Sequence, residues 1–221
     1  MNRASVEIVV ARYKEDVSWL AETDYPAIIY DKGGDLVAVG GKCLKSLPNI
    51  GREGHTYFTH IIENYPVFPD YTIFLQGDPF FHTEKITAHE VFEQAAQKIA
   101  KNAKFFGFAW FKLRCDRLGR PHDMDDPKSK GKWKGWGKDI PVGEVFEKLF
   151  KRPSPEQFIA SAPTGNFLVA RERILTRPKS FYENALELIL ADPDDENNTG
   201  HAFERLWQVI FNGSTHINPP E

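Results

Sequence analysis

Val6-Glu-Ile-Val-Val-Ala-Arg-Tyr13 is a β-branched run with an apolar centre, the pattern of a strand buried on both faces, and Lys14-Glu-Asp16 ends it abruptly. A short helical stretch around Val17–Ala21 follows, and then a second strand-like run, Ala27-Ile-Ile-Tyr-Asp31, closed by Lys32-Gly-Gly34. Strand, helix, strand at this spacing opens an α/β fold. Further out, His55 to Tyr65 places Tyr57, Phe58, Ile61, Ile62 and Tyr65 on one helical face, and Tyr71-Thr-Ile-Phe-Leu75 reads as a third strand that stops at the polar turn Gln76-Gly-Asp-Pro79.

The same reading continues to the end of the chain. Thr87-Ala-His-Glu90 is a capping box, and Val91, Phe92, Ala95, Ala96, Ile99 and Ala100 form the apolar stripe of the helix behind it. Phe105 to Leu113 reads as one aromatic-rich strand, and residues 116–139 as a loop too long for a mere connection. Order returns with a helix at Val142–Phe150, a strand at Asn166–Ala170, a helix after Pro178 and a last helix from His201 to Phe211 capped by Thr199. Strands alternating with helices imply a mostly parallel central sheet flanked by helices, whose ligands bind outside the carboxyl ends of the strands. Arg12, Tyr13, Asp31, Lys32, Gln76 and Asp78 stand at those ends.

A length of 221 residues suits one large domain, against a prior of roughly 150 residues per domain. With 41% hydrophobic and 27% charged residues, the chain can build a core and is not disordered as a whole. Its 28 basic and 31 acidic side chains leave a net charge of -3, so no global field would hold a nucleic acid. No apolar stretch reaches the ~18 residues of a membrane span, and the N-terminus has too short an apolar run for a signal peptide; a soluble, cytoplasmic protein is the expectation. Cys43, in a Gly/Lys-rich turn, and Cys115 are the only cysteines, which excludes a cysteine-built zinc site.

Several residues could carry chemistry. Asp78, after an apolar strand and before a proline, is placed to hold a divalent cation that bridges two phosphates, or it only initiates the Asp-Pro turn. Asn49-Ile-Gly-Arg-Glu-Gly54 combines glycines, Arg52 and a helix start, which suits an anion, or Arg52 simply pairs with a carboxylate. His82 and His201 are the histidines best placed to reach a metal, against a structural role for each. Glu204 and the loop acids Asp116, Asp123, Asp125 and Asp126 are candidate bases, the loop acids equally a solvated face. Lys128, Lys130, Lys132, Lys134 and Lys138, interleaved with Trp133 and Trp136, suit single-stranded nucleic acid or sugar rings, and the acidic net charge favours sugar.

Val9-Val-Ala-Arg-Tyr-Lys-Glu-Asp16, Leu47-Pro-Asn-Ile-Gly-Arg-Glu-Gly54, Phe74-Leu-Gln-Gly-Asp78, Gly165-Asn-Phe-Leu-Val-Ala-Arg-Glu-Arg173 and Phe203-Glu-Arg-Leu-Trp207 together resemble a family of small glycosyltransferase-like proteins of bacteria, fungi and large algal viruses. The likeness spans nearly the whole chain and is nearest to the N-terminal glycosyltransferase domains of multidomain chlorovirus proteins; a viral chain would work in the host cytoplasm. The resemblance implies a GT-A-like nucleotide-sugar-binding sandwich. It implies a single domain over residues 1–216, with 1–78 as the nucleotide-binding half and 79–216, including the long loop, as the sugar and acceptor half. Residues 217–221 then read as a linker or tail, with room for further domains in a longer chain.

By the same resemblance, Ala11, Arg12, Tyr13 and Asp31 hold a nucleoside, expected to be uridine. Gln76-Gly77-Asp78 occupies the place of the Asp-x-Asp motif, with Gln76 where the first aspartate would be. Asp78 and His201 are the implied ligands of Mn2+ or Mg2+. Asn49 and Arg52 face the donor's diphosphate or sugar, and Ala162-Pro-Thr-Gly-Asn166, with Gly165 and Asn166, lines the sugar pocket. The implied activity moves a hexose or deoxyhexose, glucose or rhamnose, from a UDP-sugar to a glycan or glycoprotein acceptor. Asp78 and Glu204 are the implied catalytic residues, Glu204 as a base if the transfer inverts configuration. A non-catalytic nucleotide-sugar or carbohydrate-binding module on the same fold is the alternative, supported by Gln76.

Overall fold

A computed structural model describes residues 4–82, 86–108, 112–120, 139–161 and 164–212. Three of the expected strands, β1 (Val6–Arg12), β2 (Ala27–Asp31) and β4 (Tyr71–Gln76), form the centre of a six-stranded sheet. A further strand, β3 (Cys43–Ser46), lies at its edge, so Cys43 sits in a strand and not in a turn. The order is β3-β2-β1-β4-β8-β5, with β5 at Phe105–Gly107 and β8 at Phe167–Ala170. β1 pairs in parallel with both β2 and β4, and β2 with β3, whereas β8 runs antiparallel to β4 and β5. The sheet is mostly parallel, as the alternation of elements implies.

Alternation along the strands divides the core in two. Ile8, Val10, Ile29, Ile73 and Leu75 face a layer made by the 3-10 turn Ser18–Glu22 and helix α2 (Ala88–Ala100), with Leu20, Val91 and Phe92 packed against them. Val9, Tyr30, Phe74 and Phe167 face the other way. Helices α1 (Arg52–Asn64), α3 (Val142–Phe150), α5 (Lys179–Leu190) and α6 (Thr199–Asn212) cover that face. Trp207 of α6 is its hub, with ring centroids 5.7 Å from Tyr57, 5.2 Å from Phe58 and 5.4 Å from Phe167. The single turn α4 (Arg171–Ile174) continues directly from β8.

Four local expectations change. Val17–Ala21 forms a 3-10 turn, not an α-helix. α1 begins at Arg52, three residues before the expected start at His55. Phe105–Leu113 is not one strand: β5 ends at Gly107, and β6 (Lys112–Asp116) pairs with β7 (Gln157–Ser161) in a separate two-stranded sheet. Thr199 is the first residue of α6, and the start of that helix is held from outside: Asp192 accepts from the Thr199 N–H at 3.1 Å and Asp195 from the Gly200 N–H at 2.6 Å. The Thr87–Glu90 capping box is present in both directions.

Candidate functional site

The carboxyl ends of β1, β2 and β4 surround a cleft of about 460 Å³. Ala11, Arg12, Tyr13 and Glu15 wall it from β1, and Gln76, Asp78 and Phe81 from β4. Lys32, Asn49, Arg52 and Glu53 close it from β2 and the start of α1. Ala11, Arg12, Tyr13, Asn49, Arg52, Gln76 and Asp78 are thus brought together as expected from the sequence. A second hollow of about 790 Å³, between the turn Ser18–Glu22 and residues 36–42, shares Arg12 and Glu15 with the first.

Arg12 organises the two strand ends. Its Nη1 stands 2.7 Å from Asp31 Oδ1 and 2.7 Å from Asp35 Oδ1, and its Nε donates to the Glu15 carbonyl at 2.8 Å. Asp31 is buried and does not line the cleft; its carboxylate also accepts from the N–H groups of Gly33 and Leu36. The pair therefore fixes loops instead of presenting a free carboxylate to a nucleoside. Gly33 makes this crossing possible: a Cβ there would lie 1.6 Å from the Tyr13 carbonyl oxygen. Glu15 in turn caps Tyr13 and Lys14, accepting from their N–H groups at 2.7 and 3.1 Å.

Arg52 enters α1 through two consecutive left-handed residues, Gly51 at φ 57 and Arg52 itself at φ 51. That conformation costs a non-glycine residue of order 1 kcal/mol or more and is found where surrounding contacts impose it. Here they do. Arg52 Nη2 meets Glu204 Oε1 at 2.6 Å, and its Nε lies 3.9 Å from Glu53 and 4.0 Å from Asp195. Gly200 admits this packing, since a Cβ there would stand 2.8 Å from Arg52 Cδ. Burial works against the guanidinium charge, but Glu53, Glu204 and Asp195 outweigh it and raise the pKa. Glu204 and His201 do not line the cleft: Glu204 braces Arg52, and His201 Nδ1 pairs with Asp195 Oδ2 at 2.5 Å.

Lys32 is a further cation of the cleft. Its Nζ donates to the carbonyls of Ile50, at 2.7 Å, and Arg52, which pins the Asn49–Arg52 loop beneath β2. Among the described residues it has no carboxylate within salt-bridge distance, and burial lowers its pKa to about 8, with Glu53 pulling it up and Arg52 pushing it down.

Gln76 and Glu53 make the cleft floor. Asn166 accepts from the Gln76 backbone N–H at 2.9 Å and donates to its side-chain oxygen at 3.3 Å. This turns the Gln76 amide nitrogen toward the Glu53 carboxyl, whose pKa it lowers, as does the Glu53 backbone N–H. Gly165, at φ 80, lies over this pair, and a Cβ there would stand 2.9 Å from Glu53 Cγ. Burial first, and then the charge of Glu204, raise Glu53 to about 7 despite Arg52 and these hydrogen bonds. An aspartate at 76 would set a second carboxylate against this one; glutamine supplies a donor instead.

Asp78 lines the cleft with one oxygen held by the Phe80 N–H at 3.1 Å. Among the described residues no group of three or more His, Cys, Asp or Glu side chains stands together to hold a metal. The hard, hydrated cations that bridge phosphates need no such cage: one or two carboxylates suffice, with the ligand's phosphates and water completing the shell. Asp78 fits that arrangement, and His201, paired with Asp195 and outside the cleft, is not part of it. Gly77 serves packing, its carbonyl accepting from Trp19 Nε1 at 3.0 Å.

Glu15, Glu53 and Phe81 are site residues that the sequence did not single out. An acid in the first turn of a helix is ordinary dipole chemistry, so Glu53 carried no signal there. Phe81 has none of the periodicity of a core residue; it lines the cleft and is 80% exposed. Asp116 is a turn former, accepting from the N–H groups of Leu118 and Arg120 and pairing with the Arg120 guanidinium. Asp123, Asp125, Asp126, the lysines and tryptophans of 128–138, Ala162, Pro163 and residues 217–221 lie outside the described residues, as does the side chain of His82. No described helix is long and apolar enough to cross a membrane.

A family model described as "Protein of unknown function (DUF3431)" matches residues 8–221, and the chain belongs to that family. No curated protein matches the chain.

Proposed function

We propose that the protein is a glycosyltransferase of GT-A-like fold that takes a hexose or deoxyhexose from a UDP-sugar and passes it to a glycan or glycoprotein acceptor. The observation that carries this reading is the cleft at the carboxyl ends of parallel strands, where Asp78, Arg52 and Lys32 surround one space. The cations Lys32 and Arg52 suit a diphosphate, and Asp78 suits the divalent cation that accompanies it. The exposed ring of Tyr13 and that of Phe81 suit a base or a sugar face. The adjoining hollow gives an extended ligand room beyond Arg12. The sequence motifs that resemble glycosyltransferases supply much of this same wall.

In this reading Lys32 and Arg52 orient the diphosphate and stabilise its charge as the bond to the sugar breaks. Asp78 would hold Mn2+ or Mg2+, which when bound neutralises the departing nucleoside diphosphate. Arg12 and Gly33 act at one remove, by setting the two loops between which the nucleoside lies. Asp78→Ala is expected to lower UDP-sugar turnover by ~100-fold or more while circular dichroism stays unchanged. Undiminished turnover in that variant would remove the metal role from Asp78. A binding module without turnover is the second reading. Gln76 favours it, since its amide is committed to Asn166 and Glu53 and offers no second carboxylate to a cation.

A further inference from the structure

Inverting transfer needs a base beside the acceptor, and Glu204, the candidate from sequence, is spent on Arg52 at 2.6 Å. We propose that Glu53 is that base: the carboxylate on the cleft floor that takes the acceptor's proton. The inference rests on the donor reading above.

Glu53 is placed for it by its position in the cleft and by the residues that pack behind it. It lines the cleft although only 7% of its surface is exposed. Behind it, buried Asn166 holds both the backbone N–H and the side-chain oxygen of Gln76, and the Gln76 amide nitrogen lies with the Glu53 side chain against Gly165. Gly165 leaves no side chain between this amide and the carboxylate. The charged and titratable groups facing Glu53 are Arg52 of its own helix, Glu204 of α6, Lys32 after β2 and the Tyr57 hydroxyl, which burial holds protonated. Burial and Glu204 together bring the carboxyl near neutrality, where a base combines an ionised population with real proton affinity.

The step balances without a further reactant. The acceptor O–H bond breaks and its proton goes to a Glu53 oxygen, while the oxygen's electron pair forms the new bond to the anomeric carbon. The bond from that carbon to the β-phosphate oxygen breaks, and its electron pair leaves with UDP. Solvent then removes the proton from Glu53. A single displacement of this kind inverts the anomeric configuration.

The test compares the unsubstituted protein with Glu53→Gln and Glu53→Asp, by UDP titration calorimetry and by UDP release from a panel of UDP-hexoses and UDP-deoxyhexoses with water as acceptor. Glu53→Gln keeps the volume and hydrogen-bonding capacity of the side chain. It is expected to bind UDP within a few-fold of the unsubstituted protein while turnover falls ~10²–10⁴-fold and the acid limb of the pH–rate profile near neutrality disappears. Glu53→Asp is expected to retain part of the rate with that limb intact, which covers the case in which the glutamine variant does not fold. UDP binding and turnover with an unchanged profile in both variants, or retained configuration in the product, overturns the role of Glu53 alone. No UDP binding, or binding with no turnover of any donor by the unsubstituted protein, overturns the transfer reading and the base with it.

Discussion

Lys32 gives the cleft a charge that titrates within reach of ordinary buffers. Its folded pKa of about 8 lies below the usual 10.5, so the ammonium is complete at pH 7 and is lost as pH rises through 8. Above the range in which Glu53 ionises, UDP affinity is therefore expected to weaken by roughly tenfold from pH 7.5 to 9.5, the scale of one charge-assisted hydrogen bond. Lys32→Met should bind more weakly at pH 7 and lose that dependence; a calorimetric series with the same slope in both proteins would clear Lys32 of the role. Gly33→Ala tests the loop crossing instead. Its Cβ would sit 1.6 Å from a backbone oxygen, so unfolding in urea should show a loss of about 1–3 kcal/mol or more, with UDP binding impaired. Residues at strand ends were legible at this scale because position alone nominates them. Asp31 misled: the same position that suggests a ligand contact also puts it beside Arg12, nineteen residues earlier, and only the fold reveals that the pair is closed. Glu53 was invisible because its burial comes from Gly165 and Gln76, both remote in sequence.

Helix α1 carries both the site's charge and a liability in acid. His55, in its first turn, is buried, its Nδ1 has no hydrogen-bond partner among the described residues, and burial, with Lys32 nearby, lowers its pKa to about 4. The unfolded chain binds the proton near pH 6.5 and the folded one does not, so between pH 6.5 and 4 the unfolded state takes up more protons and stability falls as pH falls. The loss is of order 1–3 kcal/mol, and it should shrink in His55→Leu when urea midpoints at pH 7 and pH 5 are compared. An equal acid loss in the variant would point to other groups. Among elements, those with a local signal were legible: the Thr87 capping box, the stripes of α1 and α2, the β-branched runs of β1 and β2. β3 was not, because Cys-Leu-Lys-Ser has no apolar run and becomes a strand only by pairing with β2. The direction of β8 was hidden too, since four buried residues in a row say nothing about which way they run.

For the whole molecule, one core lies on each face of the sheet whose carboxyl edge forms the cleft. Trp207 joins α6 to α1 and to the sheet, and near the N-terminal end of α6 Glu204 and Asp195 brace Arg52, with His201 paired to Asp195. Trp207→Ala should cost about 3–5 kcal/mol in denaturant unfolding. Trp207→Phe should cost far less, because the buried indole Nε1–H has no hydrogen-bond partner among the described residues; equal losses would mean that the indole makes a contact beyond packing. The parallel sheet and its ligand edge were legible from the alternation of strands and helices. The edge's filled and open positions were not, because they depend on side chains that meet across the whole chain, as Arg52 and Glu204 do. The most direct test of the central claim is a calorimetric titration of the protein with UDP, with and without Mn2+, repeated on Asp78→Ala. Binding that strengthens with the metal and loses that gain in the variant is the predicted result, and no UDP binding under either condition would contradict the account.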